Sequence, residues 1–266
     1  MRVTSTPELD AIAAPRPQDE PWVCGPRARF AVIAPSTNTV VEQDFAAIRP
    51  DGVTFHTGRM FIENPNLGSN EDFESLLTQI RASITTAIRD VMTSKPTYML
   101  MGMSAETFWG GVAGNQAFID RVSKQSGLDV STGASACRAA LDHYSAERIA
   151  VFSPYQPIAD DQVSNYFTEA GFAVAAVTGL RCPTATAIAE VGPDRLARLV
   201  EALDGPGIDA IVQVGTNLSF VAQAARMETD LGKPVIAINA ATLWHALRAV
   251  GVTDRIDGFG RILTDA

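Results

Sequence analysis

Cysteine and histidine are scarce in this chain, with three of each among 266 residues. Cys24, Cys137 and Cys182 are odd in number and form no C-x-x-C pair. That excludes a disulfide framework and a thiolate zinc site. His56, His143 and His245 do not fall at ligand spacing, so no metal is expected. Basic residues are also few. Twenty-one Lys and Arg stand against thirty Asp and Glu, a net charge of −9. Nucleic acid needs a basic face, so a nucleic-acid partner is not expected. A small anionic ligand remains allowed, because a local site can be positive inside an acidic protein. No apolar run approaches the ~18 residues of a membrane span. Residues 1–26 lack the apolar segment of a signal peptide and are Pro-rich. A soluble, cytoplasmic protein is expected.

Hydrophobic residues make up 46% of the chain and charged residues 19%, enough apolar content for a sizeable core. The length fits one large or two small domains. Residues 1–27, with five prolines, read as an arm, either loose or packed on a neighbouring subunit. From Arg29 the pattern is strand, turn, helix, repeated. Short continuous apolar runs at 29–35, 53–60 and 97–103 predict strands buried on both faces. A long amphipathic helix is predicted over 70–94, with Phe73, Leu76, Leu77, Ile80 and Ile84 at three-to-four spacing. A second set begins at Arg148, with strands predicted at 148–154, 172–181, 209–215 and 233–240. Alternating strands and helices predict parallel sheets covered on both faces.

The halves repeat. "TYMLMGMSAETF" (97–108) lies over "DAIVQVGTNLSF" (209–220) without a gap. Met103 then matches Gly215, Ser104 matches Thr216, and Phe108 matches Phe220. The expected fold is α/β, with two pseudo-symmetric flavodoxin-like lobes, each a parallel sheet with helices on both faces. The expected division is an arm (1–27), a first lobe (28–137), a second lobe (138–250) and a C-terminal segment (251–266) packing back on the first lobe. Open α/β sheets bind ligands beyond the carboxyl ends of their strands. Two facing lobes therefore place Ser36, Met103, Tyr155 and Gly215 on the walls of one cleft.

Several motifs carry a resemblance. "PSTNTVVE" (35–42) is similar to the PSxNTxxE motif of maleate isomerases, and "FHTGRM" (55–60) to the end of the family's second strand. "SPY" (153–155) stands where the family has an active-site tyrosine. "GTNL" (215–218) and "GMSAETFWGG" (102–111) are similar to its two Cys-bearing turns. Over roughly 29–250 the chain resembles the aspartate/glutamate racemase superfamily, and within it the maleate isomerase/arylmalonate decarboxylase family. The resemblance implies cofactor-independent chemistry on a small carboxylate, with no metal, in a homodimer or homotetramer. It also implies cysteines at the two strand ends. Here Met103 and Gly215 occupy them, so two-thiol racemisation and thiol-addition isomerisation are disfavoured.

Candidate residues follow. Ser36, Thr37 and Asn38 lie where a strand meets a helix N-terminus, a carboxylate cradle or an ordinary cap. Ser104, Thr216 and Asn217 offer hydroxyl and amide donors for an oxyanion or a second carboxylate, or cap their turns. Tyr155 offers a phenol as general acid, or is a half-buried tyrosine. Glu106, beside Phe108 and Trp109, is the candidate replacement base, its pKa raised by desolvation; otherwise it is a first-turn surface glutamate. Cys182 would offer a thiolate if it faced the cleft, and is otherwise a small buried residue. Trp109 with Gly110 and Gly111 reads as a lid, an apolar wall or interlobe packing. Cys137 reads as core and His56 as structural. The expected reaction is lyase-type (decarboxylation, elimination or hydration) through an enolate-like anion. The alternatives are an isomerase or racemase using Cys182 or another group, and a carboxylate sensor without catalysis.

Overall fold

The computed structural model describes residue 20, residues 22–63 and residues 66–265. Most of the arm therefore lies outside the described residues. Two four-stranded, all-parallel sheets dominate. The first contains β1 (Ala28–Pro35), β2 (Val53–Met60), β3 (Tyr98–Met101) and β4 (Val130–Ser131), in the order β2-β1-β3-β4. The second contains β5 (Arg148–Ser153), β6 (Ala173–Gly179), β7 (Ala210–Gln213) and β8 (Val235–Ala237), in the order β6-β5-β7-β8. The second order is the first repeated, as the internal duplication requires. Central strands are mostly apolar, because helices cover both faces. All four residues of β3 and all four of β7 are buried.

The helices are α1 (Val41–Ile48), α2 (Asn70–Met92), α3 (Ala105–Phe108), α4 (Gly111–Ser126), α5 (Gly133–His143), α6 (Pro157–Glu169), α7 (Pro193–Leu203), α8 (Val221–Leu231) and α9 (Ile238–Ala249). α2 starts in a capping box, in which the Ser69 hydroxyl accepts from Asp72 N–H and the Asp72 carboxylate accepts from Ser69 N–H. Its apolar stripe, from Phe73 through Val91, packs against β2 and β1. Gly58 makes that approach possible, since a β-carbon there would sit 2.5 Å from the Ala87 carbonyl oxygen.

Most strands after β2 end one to three residues earlier than the apolar runs predict, as the third and last runs show. The third run stops at Met101, and Gly102–Met103–Ser104 turn away into α3. The last run stops at Ala237, and Ile238 begins α9 immediately. Gln213 explains the second case: its side-chain oxygen accepts the Ile238 N–H at 3.3 Å, satisfying one of the helix's orphan donors.

α9 is apolar nearly all round, with Ile238, Ala240, Ala241, Leu243, Trp244, Ala246 and Leu247 buried. Such a helix has no solvent face to offer. Although it belongs to the second repeat by sequence, it packs on α5, α1, β3 and β4 of the first. The C-terminal segment packs on α9 through buried Ile262 and Leu263. It reaches the end of the arm through the ion pair of Asp254 with Arg27. At the described end of the arm, the Arg29 guanidinium lies 4.2 Å from the Trp22 ring centre. No described helix is long and apolar enough to cross a membrane.

Candidate active site

The carboxyl ends of β1, β3, β5 and β7 converge on one cavity of about 60 Å³. About 10–15 Å³ of such space holds a water, so the cavity, which is partly open to solvent, has room for a few heavy atoms. Its walls are Pro35, Thr37, Asn38, Leu76, Ile80, Met103, Ser104, Ala105, Pro154, Tyr155, Ala185, Ile188, Gly215, Thr216 and Asn217. None of these carries a charge.

The polar wall is a web between lobes. Asn38 Nδ2 donates to Thr216 Oγ1 at 3.0 Å, and the Thr216 hydroxyl donates to the Gly102 carbonyl at 3.1 Å. Thr216 N–H donates to Ser104 Oγ at 3.2 Å. Asn217 Oδ1 accepts Thr39 N–H at 2.9 Å, and its Nδ2 donates to Ala185 O at 2.9 Å. Asn38 Oδ1 also accepts the N–H groups of Val40 and Val41, both at 3.0 Å, at the entry to α1.

Ser104 and Tyr155 share a short hydroxyl–hydroxyl bond inside the cavity. Tyr155 packs edge-on against Phe73, with ring centres 5.4 Å apart. Burial pushes the Tyr155 phenol well above its ordinary pKa. The Ser104 bond opposes this, and Asp160 and Cys137 add to it. The phenol therefore stays protonated at neutral pH.

Gly215 and Met103 are not equivalent. Met103 fills its place as a buried apolar wall. Gly215 has φ +119°, and a β-carbon there would lie 2.5 Å from Pro154 Cδ. No side chain fits that position without moving the backbone. Behind it, Asn239 Nδ2 donates to the Thr216 carbonyl at 3.0 Å and to Asp44 Oδ2 at 2.7 Å. Burial raises Asp44 to about 6, with the Asn239 bond opposing.

Four sequence candidates lie elsewhere. Glu106 is buried but does not line the cavity. Its carboxylate accepts two bonds from Arg81 Nε, at 2.9 and 3.0 Å, and Arg121 stands 3.9 Å away. A carboxylate held this way faces α2, so the expected cleft-facing base is not what the fold presents. Cys182 opens on a separate surface hollow with Arg181, Glu190 and Arg195. Its N–H is pinned to Pro154 O, and burial raises its thiol pKa. Ser36 is exposed and exchanges hydrogen bonds with the backbone of Ile62. Trp109 stacks near Arg81, outside the lining. Cys137 is fully buried. Leu76, Ile80 and Ile188 line the cavity without having been singled out. The first two carry only a helical core signal, and Ile188, in a short 3-10 turn (Ala187–Glu190), carries none. Among the described residues no His, Cys, Asp and Glu cluster could hold a metal.

Loops from the two lobes meet beside the cavity. Asn66 bridges Thr184, and Leu67 N–H donates to Pro183 O at 2.7 Å, next to the lining residue Ala185.

A family model described as arylmalonate decarboxylase matches residues 31–263. A maleate isomerase of Pseudomonas putida is 27% identical over 253 residues, covering 90% of this chain and 98% of that protein. The solved maleate isomerase of Pseudomonas putida S16 superposes with a TM-score of 0.80 at 22% identity, covering 89% of this chain and 98% of its own. Unliganded arylmalonate decarboxylase superposes with a TM-score of 0.72 at 20% identity, covering 90% and all of its chain.

Proposed function

The chain belongs to the arylmalonate decarboxylase family, and from that premise we propose that it decarboxylates a small malonate-type acid through an enolate-like anion, with Tyr155 as the proton donor. The observation that carries the reading is the protonated Ser104–Tyr155 hydroxyl pair in a cavity without a charged wall. A carboxylate set against Leu76, Ile80, Met103 and Ile188 loses hydration and gains no cation. Loss of neutral CO2 relieves that penalty. The C–C bond breaks, CO2 leaves with no electrons from that bond, and the pair remains as an enolate. The other carboxylate would take neutral donors at Asn38, Thr216 and Asn217 in exchange for their present bonds to Thr216 Oγ1, Gly102 O and Ala185 O. The Tyr155 O–H then passes its proton to carbon, Ser104 stabilises the phenolate, and water restores the phenol. A strongly raised phenol suits a carbon acid, whose conjugate base is itself very basic.

The test is turnover of malonate, methylmalonate, phenylmalonate and maleate, followed by proton NMR in D2O. Product carrying one solvent deuterium at the reacting carbon is expected from a malonate, with Tyr155→Phe slower by about 10²–10⁴. Full turnover in both Tyr155→Phe and Ser104→Ala would sink the reading. The likeness to maleate isomerases supports a second reading, cis–trans isomerisation of a butenedioate. It needs a nucleophile other than Cys182 as that residue now sits. Fumarate made from maleate, with activity unaffected by iodoacetamide, would favour it.

A further inference from the structure

We propose that Arg181 and Asp160 are positioning residues, which with Ser153 clamp the backbone of Tyr155 and so hold its phenol on Ser104. The inference rests on the reading of Tyr155 as proton donor. Neither Arg181 nor Asp160 lines the cavity.

The clamp is a closed ring. Tyr155 N–H donates to Ser153 Oγ at 3.0 Å. The Ser153 hydroxyl donates in a short bond to Asp160 Oδ1. Asp160 Oδ2 is paired with Arg181 Nη1, and the same nitrogen donates to the Tyr155 carbonyl at 2.6 Å. Both backbone polar groups of Tyr155 are therefore tied to one network. Ser153 is fully buried and Asp160 nearly so. Arg181 reaches its place from a backbone φ of +54°, which non-glycine residues rarely adopt. Gly179 makes room, because a β-carbon there would collide with both the Arg181 guanidinium and the Asp160 carboxylate.

A proton donor gains from being fixed. Displacement by an ångström or so costs far more in rate than in stability. Tyr155 sits at a strand end, where backbone is otherwise free to move. The first repeat holds its strand end with a related device: Arg59 donates to the carbonyls of Pro35 and Asn38, at 2.9 and 2.6 Å, and pairs with Glu42, while Ser36 takes the Ile62 N–H.

The test compares Arg181→Met, Arg181→Lys and Gly179→Ala with the native protein. Gly179→Ala disturbs the clamp without changing any charge, and its backbone φ is not in the left-handed range. The readout is the ring-carbon NMR resonances of the four tyrosines between pH 7 and 11, with Tyr155 assigned by Tyr155→Phe and melting recorded alongside. In the native protein the Tyr155 resonance should not titrate by pH 11. In Arg181→Met and Gly179→Ala its position at pH 7 should shift as the bond to Ser104 is lost, and Arg181→Lys should restore the native position in part. An unmoved Tyr155 resonance in both disrupting variants, with a lowered melting point, would overturn the proposal and leave a purely structural role. If Tyr155→Phe kept full turnover, the proton-donor reading would fail while the resonance comparison stood unchanged.

Discussion

The two duplicated strand ends share a frame and differ in content. After β3 the chain runs Gly102–Met103–Ser104, and after β7 it runs Val214–Gly215–Thr216. Gly102 N–H donates to Ile33 O, and Val214 N–H donates to the matching Phe152 O. Beyond that, symmetry stops. The first end presents a bulky thioether and a hydroxyl bonded to Tyr155. The second presents a glycine sealed by Pro154 and a threonine that ties the lobes. The Ser104 carbonyl is taken by Thr107 of its own helix, whereas the Thr216 carbonyl is taken by Asn239, backed by Asp44. A duplication fixes where chemistry sits; each copy's neighbours decide which groups fit there.

The largest expected effect comes from placing a thiol at each end. Gly215→Cys forces a side chain into an unfavourable φ and against Pro154, and should cost about 2–5 kcal/mol in urea unfolding. Met103→Cys only opens space in an apolar wall and should cost about 1–3 kcal/mol. Equal losses, or a milder Gly215→Cys, would erase the difference drawn between the two positions.

The second prediction concerns Asp44, which only the β7 end recruits. Its folded pKa of about 6 lies above that of an ordinary carboxylate. The folded state thus holds a proton that the unfolded chain has released. Stability from this group is fully present below about pH 4 and is lost as pH rises through about 6. The loss amounts to up to about 3 kcal/mol above pH 7. Asp44→Asn should remove that slope and melt higher than the native protein at pH 8. A slope unchanged in the variant would break the link.

Glu106 gives the smallest effect. Its counterpart in the second repeat is the buried Leu218, so the carboxylate is particular to one copy. Glu106→Gln should leave turnover intact and shift stability by less than about 1 kcal/mol, because Arg81 is half exposed. A large loss of turnover with an unchanged fold would return the base to the first strand end.

Much of the architecture was legible in the sequence. Runs such as "RFAVIAP" are apolar without alternation, and that alone says buried parallel strand. The gapless match of 97–108 on 209–220 brought Ser104 beside Thr216, which the 3.2 Å bond between them realises. Side-chain direction was not legible. Two residues along a helix turn a side chain roughly 200° around its axis. Glu106 therefore points away from Ser104, toward an arginine twenty-five residues back in the chain. Cys182 sits close to the cavity in sequence, but the bond from its own N–H to Pro154 O sets its course elsewhere. The Ser153–Asp160–Arg181 ring was invisible for the same reason, since its members are spread over a strand end, a helix and a loop.

The placement of α9 ties the fate of the two repeats together. Cut between the repeats, the front half would lose the helix that covers β3 and β4, and the back half would carry that helix with its apolar sides bare. Neither half is a self-sufficient module. The two repeats therefore depend on each other to fold, although their strand ends differ in content.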